Sequence, residues 1–156
     1  MTKILCVWFF GLPSKVFAFI KNNCKNKVNK TKNISNADKK LIEQTKTLTS
    51  NLRNEMNNQK LNNYIKSVIN ISFLTNKYIN DEEPWKLKKN NIEKMNNILH
   101  LSLEQIAKIS ILLNPIIPKS STKVLDALNI KLKNLSFLDG ADIITEEIKI
   151  KDLEIL

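Results

Sequence analysis

Asn76-Lys77-Tyr78-Ile79-Asn80-Asp81-Glu82-Glu83-Pro84-Trp85-Lys86-Leu87-Lys88-Lys89 is the stretch of this chain best equipped for recognition chemistry. A helix carrying Tyr78 and Ile79 meets three acids and then Pro84. Proline disfavours helical geometry at the residue before it, so that helix is predicted to end at or before Glu83. Trp85 is then expected at the mouth of a turn, flanked by Lys86, Lys88 and Lys89. A ring held at a loop beside cations can stack on an unstacked RNA base while the lysines attract phosphates. The same residues allow a second reading, in which Trp85 is a packing plug closing the end of a helix pair.

The elements that would position these residues read as helices. Two glycines and four prolines in 156 residues favour long uninterrupted helices over a turn-rich β fold. Leu12, Val16, Phe19 and Ile20 form one apolar stripe. Ala37, Leu41, Leu48, Leu52 and Met56 form a second, opened by Ser35 as N-cap. Leu61, Ile65, Val68, Ser72, Thr75 and Tyr78 form a third. The fourth, Ile92, Met95, Leu99, Leu103, Ile106, Ser110 and Leu113, ends at Pro115. A shorter helix is expected from about Ser120 to Leu128. The tail from Ile130 is irregular, except that alternation at Ile148-Lys149-Ile150 allows a short strand.

Composition sets further bounds. The length suits one domain with a single core. The formal net charge is +10, and Arg53 is the only arginine. Residues 1–35 hold seven lysines and no acid, whereas residues 136–156 hold six acids against two lysines. A basic front with an acidic tail fits a polyanion-binding surface plus a segment that avoids it, or simply a lysine-rich solubilising face. Cys6, Cys24 and His100 cannot assemble a metal cluster, and no nucleophilic triad or glycine-rich phosphate loop stands out. No catalytic or metal residue is therefore assigned, and no cofactor is expected in this chain. Two thiols without an evident bridge fit a reducing cytoplasm. Ile4 to Leu12 has a signal-peptide look, with Val16-Phe17-Ala18 as a cleavage site, but cleavage there would delete helical residues. The run is also too short to span a bilayer.

Four segments, in order, resemble the anticodon-binding domain of methionyl-tRNA synthetases. They are Leu12 to Ile20 with Asn23-Cys24, Ser35 to Gln44, Tyr78-Ile79 with Pro84-Trp85-Lys86-Leu87, and Leu112-Leu113-Asn114-Pro115-Ile116-Ile117-Pro118 with Val124, Leu125 and Leu128. The resemblance covers about residues 12–129. It implies an all-α helical bundle of the class I aminoacyl-tRNA synthetase anticodon-binding type, with residues 1–11 as a divergent lead-in and 130–156 as an irregular C-terminal tail. It also implies that Pro84 and Trp85 contact the anticodon, the ring stacking on its first base. The family's Asn-Leu-x-x-Arg pattern appears here as Gly11-Leu12-Pro13-Ser14-Lys15, so Lys15 stands for an arginine and keeps charge without the planar fork.

The implied function is recognition of the tRNA anticodon loop as the C-terminal part of a methionine–tRNA ligase. Helices one and four and the Pro84-Trp85 turn would grip the loop, Lys15 pairing electrostatically and Lys86, Lys88 and Lys89 tracking phosphates. The ATP-using catalytic domain, whose signatures are absent from this sequence, would be the other partner. The readings set against it are the anticodon domain of another class I synthetase and a secreted or structural helical bundle with no RNA role.

Overall fold

A computed structural model describes residues 2–30, 32–131 and 147–153, with side chains from Phe9 onward. Seven helices are described: α1 (Thr2–Cys24), α2 (Asn36–Ser50), α3 (Leu52–Asn57), α4 (Leu61–Glu82), α5 (Pro84–Leu87), α6 (Ile92–Leu113) and α7 (Pro118–Ala127). Two short strands, β1 (Lys27–Val28) and β2 (Ile148–Lys149), pair antiparallel, with Lys27 opposite Lys149 and Val28 opposite Ile148. The fold is therefore the expected helical bundle.

Helix α1 runs without interruption from Thr2 through Pro13 to Cys24, so residues 2–11 and the first predicted stripe share one element. Pro13 is buried within it and has no N–H to offer the Phe9 carbonyl. Phe9, Leu12, Val16, Phe17 and Ile20 face the core. Ser35 caps α2 as predicted: its hydroxyl accepts from the Asp38 N–H at 3.2 Å, and the Asp38 carboxylate accepts from the Ser35 N–H at 2.7 Å. The second stripe does not continue in one helix, because the chain breaks at Asn51 and restarts as α3.

The third stripe holds in part: Val68, Thr75 and Tyr78 are buried as predicted, whereas Ile65 and Ser72 are half-buried. Helix α4 buries Tyr64, Val68, Ile71, Thr75, Tyr78 and Ile79, while Leu61, its first residue, is largely exposed. Helix α6 is buried nearly all round, since it packs against α1, α4, α5 and α7. The predicted Met95, Leu99, Leu103, Ile106, Ser110 and Leu113 are all buried, whereas Ile92 stays exposed at the first turn. Ser102 and Ser110 return their hydroxyls to the carbonyls of Ile98 and Ile106, at 2.7 Å each. Pro118 opens α7, a position where its missing N–H costs nothing.

A buried carboxylate ties three helices together. Asp38, 2% exposed, accepts from the Tyr78 hydroxyl of α4 at 2.5 Å and from the Asn97 amide of α6 at 2.5 Å. A buried charge needs such partners, and here they join residues far apart in sequence. Burial, reinforced by the Asp38 bond, holds the Tyr78 hydroxyl well above the usual tyrosine range. Tyr64 donates to the Leu112 carbonyl at 2.7 Å, and burial pushes its hydroxyl up to about 12.

The strand expected at Ile148 forms, and its partner explains where the tail goes. Lys25 and Asn26 take left-handed backbone (φ 52° and 61°), turning the chain from α1 into β1. Ile148 and Ile150 are buried, the Ile150 N–H donates to the Asn26 carbonyl at 2.9 Å, and the Lys151 N–H to Ala127 at 2.8 Å. Lys27–Glu147 and Lys21–Asp152 pair at 2.7 Å each. Glu147 and Asp152 of the acidic tail thus lie against lysines of the basic front.

Candidate nucleic-acid interface

Helix α4 ends at Glu82, and Glu83 adopts left-handed backbone (φ 46°, ψ 59°) as its C-cap. Its N–H still bonds the Ile79 carbonyl at 3.1 Å. That one residue redirects the chain so that Pro84 begins α5, a single helical turn, at the place where a turn was expected. Pro84 is buried and Leu87 half-buried, so the turn is anchored at both ends. Trp85 between them is 43% exposed. It is neither a buried plug nor a free side chain, but a partly seated ring with one part in water.

Lys15 on α1 reaches this ring. Its Nζ lies 5.8 Å from the ring centroid and donates to Asn80 Oδ1 at 2.7 Å. Cation and ring attract through the ring quadrupole, by about 0.5–1 kcal/mol where solvent is present. The residue standing where an arginine was expected is therefore pre-positioned by the aromatic and by an amide at the end of α4. The three lysines after Trp85 are all exposed but differently held. Lys86 pairs with Glu83 at 2.8 Å, and Lys88 donates to Asn23 Oδ1 at 2.8 Å, linking α5 to the end of α1. Lys89 is exposed on the turn that follows. Exposed contacts of this kind add little stability and can be exchanged for phosphate contacts.

The sequence reading named Lys15, Pro84, Trp85, Lys86, Lys88 and Lys89, and the fold gathers them at the junction of α1, α4 and α5. It missed Asn80 and Asn23. Asn23 lies eight residues beyond Lys15, about two turns along the same side of α1. Asn80 could be found only by knowing that α4 and α1 lie side by side. The fourth predicted helix, α6, supplies none of the described polar contacts to Trp85. It packs against α5, and its Lys94 pairs with Glu82 at 2.9 Å, fixing the end of α4. Cys24 is half-buried, and burial raises its thiol pKa, partly opposed by the Lys88 charge. Gly11, one turn before Lys15, is exposed and has nothing within 4 Å of where a Cβ would stand.

Among the described residues there is no cluster of histidine, cysteine, aspartate or glutamate able to hold a metal, and no helix long and apolar enough to cross a membrane.

A family model described as the anticodon binding domain of methionyl tRNA ligase matches residues 28–149, which include Pro84, Trp85 and the lysines after them. Methionine–tRNA ligase of Brucella suis biovar 1 is 28% identical over 129 residues, 83% of this chain and 25% of that protein. The enzyme of Rickettsia felis is 39% identical over 82 residues, 53% of this chain and 16% of that protein. This chain therefore spans about a quarter or less of the length of these relatives. The free-state methionyl-tRNA synthetase of Mycobacterium tuberculosis matches with a TM-score of 0.82 at 20% identity, covering 90% of this chain and 29% of that one. At that identity the likeness bears on the fold, which it shares over nearly the whole chain. With residues 28–149 of its 156 inside the family model, the chain belongs to the methionyl-tRNA ligase anticodon-binding domain family.

Proposed function

We propose that this chain binds the anticodon loop of a tRNA, acting as the C-terminal part of a methionine–tRNA ligase. The observation that carries the reading is Trp85: a 43%-exposed ring on a proline-anchored turn, with the Lys15 ammonium 5.8 Å from its centroid. The exposed part of the ring stacks on a splayed base. Pro84 sets the ring's height by filling the core beneath it. Lys15 meets the backbone beside that base, and Lys86, Lys88 and Lys89 follow the phosphates, giving up their exposed internal partners.

The described residues contain no parallel sheet on which a nucleotide could be activated, so methionine activation with ATP belongs to a catalytic domain with which this chain works. Its place of action is the cytoplasm, consistent with the free thiol of Cys24.

The test is equilibrium binding of the chain to an anticodon stem–loop RNA across a salt series. Binding should weaken as salt rises, with a log–log slope of about −0.7 per phosphate contacted. Absence of binding at low salt, or binding indifferent to salt, would count against the proposal.

A further inference from the structure

A groove separate from the Trp85 platform opens between the starts of α2 and α6. It holds about 260 Å³ and is lined by Asn33, Ile34, Ser35, Asn91, Lys94 and Asn97, together with one acid. Its charged groups already have partners. That acid, Glu93, accepts from the Asn33 amide at 2.7 Å, and Lys94 is paired with Glu82. A phosphate would gain little there. The groove instead offers amides and an apolar wall, since Ile34 is 53% exposed. Asn91 uses its side-chain oxygen to cap α6, accepting from the Lys94 N–H at 2.9 Å, so its Nδ2 group is not spent on the helix. Side-chain amides and an aliphatic surface match the edge and the face of a nucleobase.

The groove lies one turn along the chain from the proposed interface. The Leu87 carbonyl accepts from the N–H groups of Asn90 and Asn91, at 3.1 and 2.9 Å. Asn91 is therefore one tight turn from α5, with exposed Lys88 and Lys89 between.

We propose that this groove takes one unstacked RNA base, from a loop nucleotide next to the one stacked on Trp85. Asn91 reads its edge through Nδ2, Ile34 covers its face, and Lys88 and Lys89 hold the phosphates between the two bases. The inference rests on the RNA-binding reading above.

The test uses the full chain, an anticodon stem–loop RNA, and the same RNA with a single abasic site at each loop position in turn. Asn91→Ser keeps a capping oxygen and removes the amide. Ile34→Ala removes the wall at an exposed position. Each variant should bind the intact loop about two- to tenfold more weakly, the worth of one neutral hydrogen bond or a small apolar contact, with an unchanged melting temperature. One abasic RNA should be bound equally by variant and parent, because the missing base is the one the groove holds. Unchanged affinity in both variants overturns the subsite, as does an equal loss on every abasic RNA. If Trp85→Ala weakens binding while Asn91→Ser does not, the groove proposal fails alone. If the parent chain binds no RNA, both readings fail.

Discussion

Replacing Trp85 by alanine separates a stacking platform from a packing residue, because the ring is part buried and part exposed. Truncating a fully buried tryptophan costs about 3–5 kcal/mol. Trp85 is 43% exposed, so the share of that cost arising from burial is roughly half, or about 1.5–2.5 kcal/mol. Loss of the Lys15 contact adds at most about 1 kcal/mol. Against this, a base–aromatic stack is worth about 1–3 kcal/mol, or roughly 5- to 150-fold in affinity. The two effects fall on different observables. Stability is read from thermal or denaturant unfolding, and binding from anisotropy of a labelled anticodon stem–loop, corrected to the folded fraction. The expected outcome is a loss of affinity per folded molecule of at least fivefold with the domain still folded at 25 °C. Trp85→Phe should retain most of the stability and recover only part of the binding, since it keeps an apolar ring but shrinks the stacking surface. A large fall in stability with unchanged affinity per folded molecule would refute the stacking role.

Two further outcomes concern the scaffold. Gln105 is fully buried on α6 and neither its Nε2 nor its Oε1 finds a partner among the described residues, so Gln105→Met should stabilise the domain by about 1–3 kcal/mol, measured as a rise in denaturant midpoint without a change in slope. A fall in the midpoint would show that the amide is not a burden. Alkaline stability should follow Tyr64 together with Tyr78: burial pushes the Tyr64 hydroxyl up to about 12 when folded and raises that of Tyr78 as well, against a usual value of about 10 when unfolded. A raised folded-state pKa means that the unfolded chain releases its proton first, so stability is intact below about pH 10 and declines from there towards 12. Tyr64→Phe should flatten that decline in unfolding measurements between pH 9 and 12; an equally steep decline would exclude Tyr64 as its source.

The sequence made some of this architecture legible and hid the rest for identifiable reasons. Ser35 and Pro84 act through their own backbone neighbours, so the α2 cap and the end of α4 could be placed from local rules. The second stripe continued across Asn51 without a proline or glycine to mark the break, and α3 was absorbed into α2. Helix α4 was read from Leu61, but that residue sits at the first turn and beyond the packed face, so the true stripe runs through Tyr64 and Ile71. In α6 the periodic pattern was genuine yet incomplete, because a helix packed on several sides buries residues off the stripe as well. The alternation at Ile148 was visible, whereas its partner Val28 lies 120 residues earlier in a two-residue strand that no local signal marks. At the candidate interface, Trp85, Lys86, Lys88 and Lys89 stand out by residue type and spacing and Lys15 by the family resemblance, but Asn80 and Asn23 depend on tertiary neighbours.

The position of the platform follows from a buried carboxylate distant from it in sequence. Asp38 holds Tyr78 and Asn97, and so fixes the last turns of α4 against the start of α6. Lys94–Glu82 adds a second tie between the same two elements. Asn80 and Glu83 occupy that fixed end: one holds Lys15 beside the ring, the other turns the chain so that Pro84 is buried at the start of α5. Breaking the Asp38 network would therefore loosen Trp85 and Lys15 together, although neither touches it. A surface carried on a one-turn helix has almost no rigidity of its own. Its geometry is borrowed from helices locked beneath it, as a preorganised site requires.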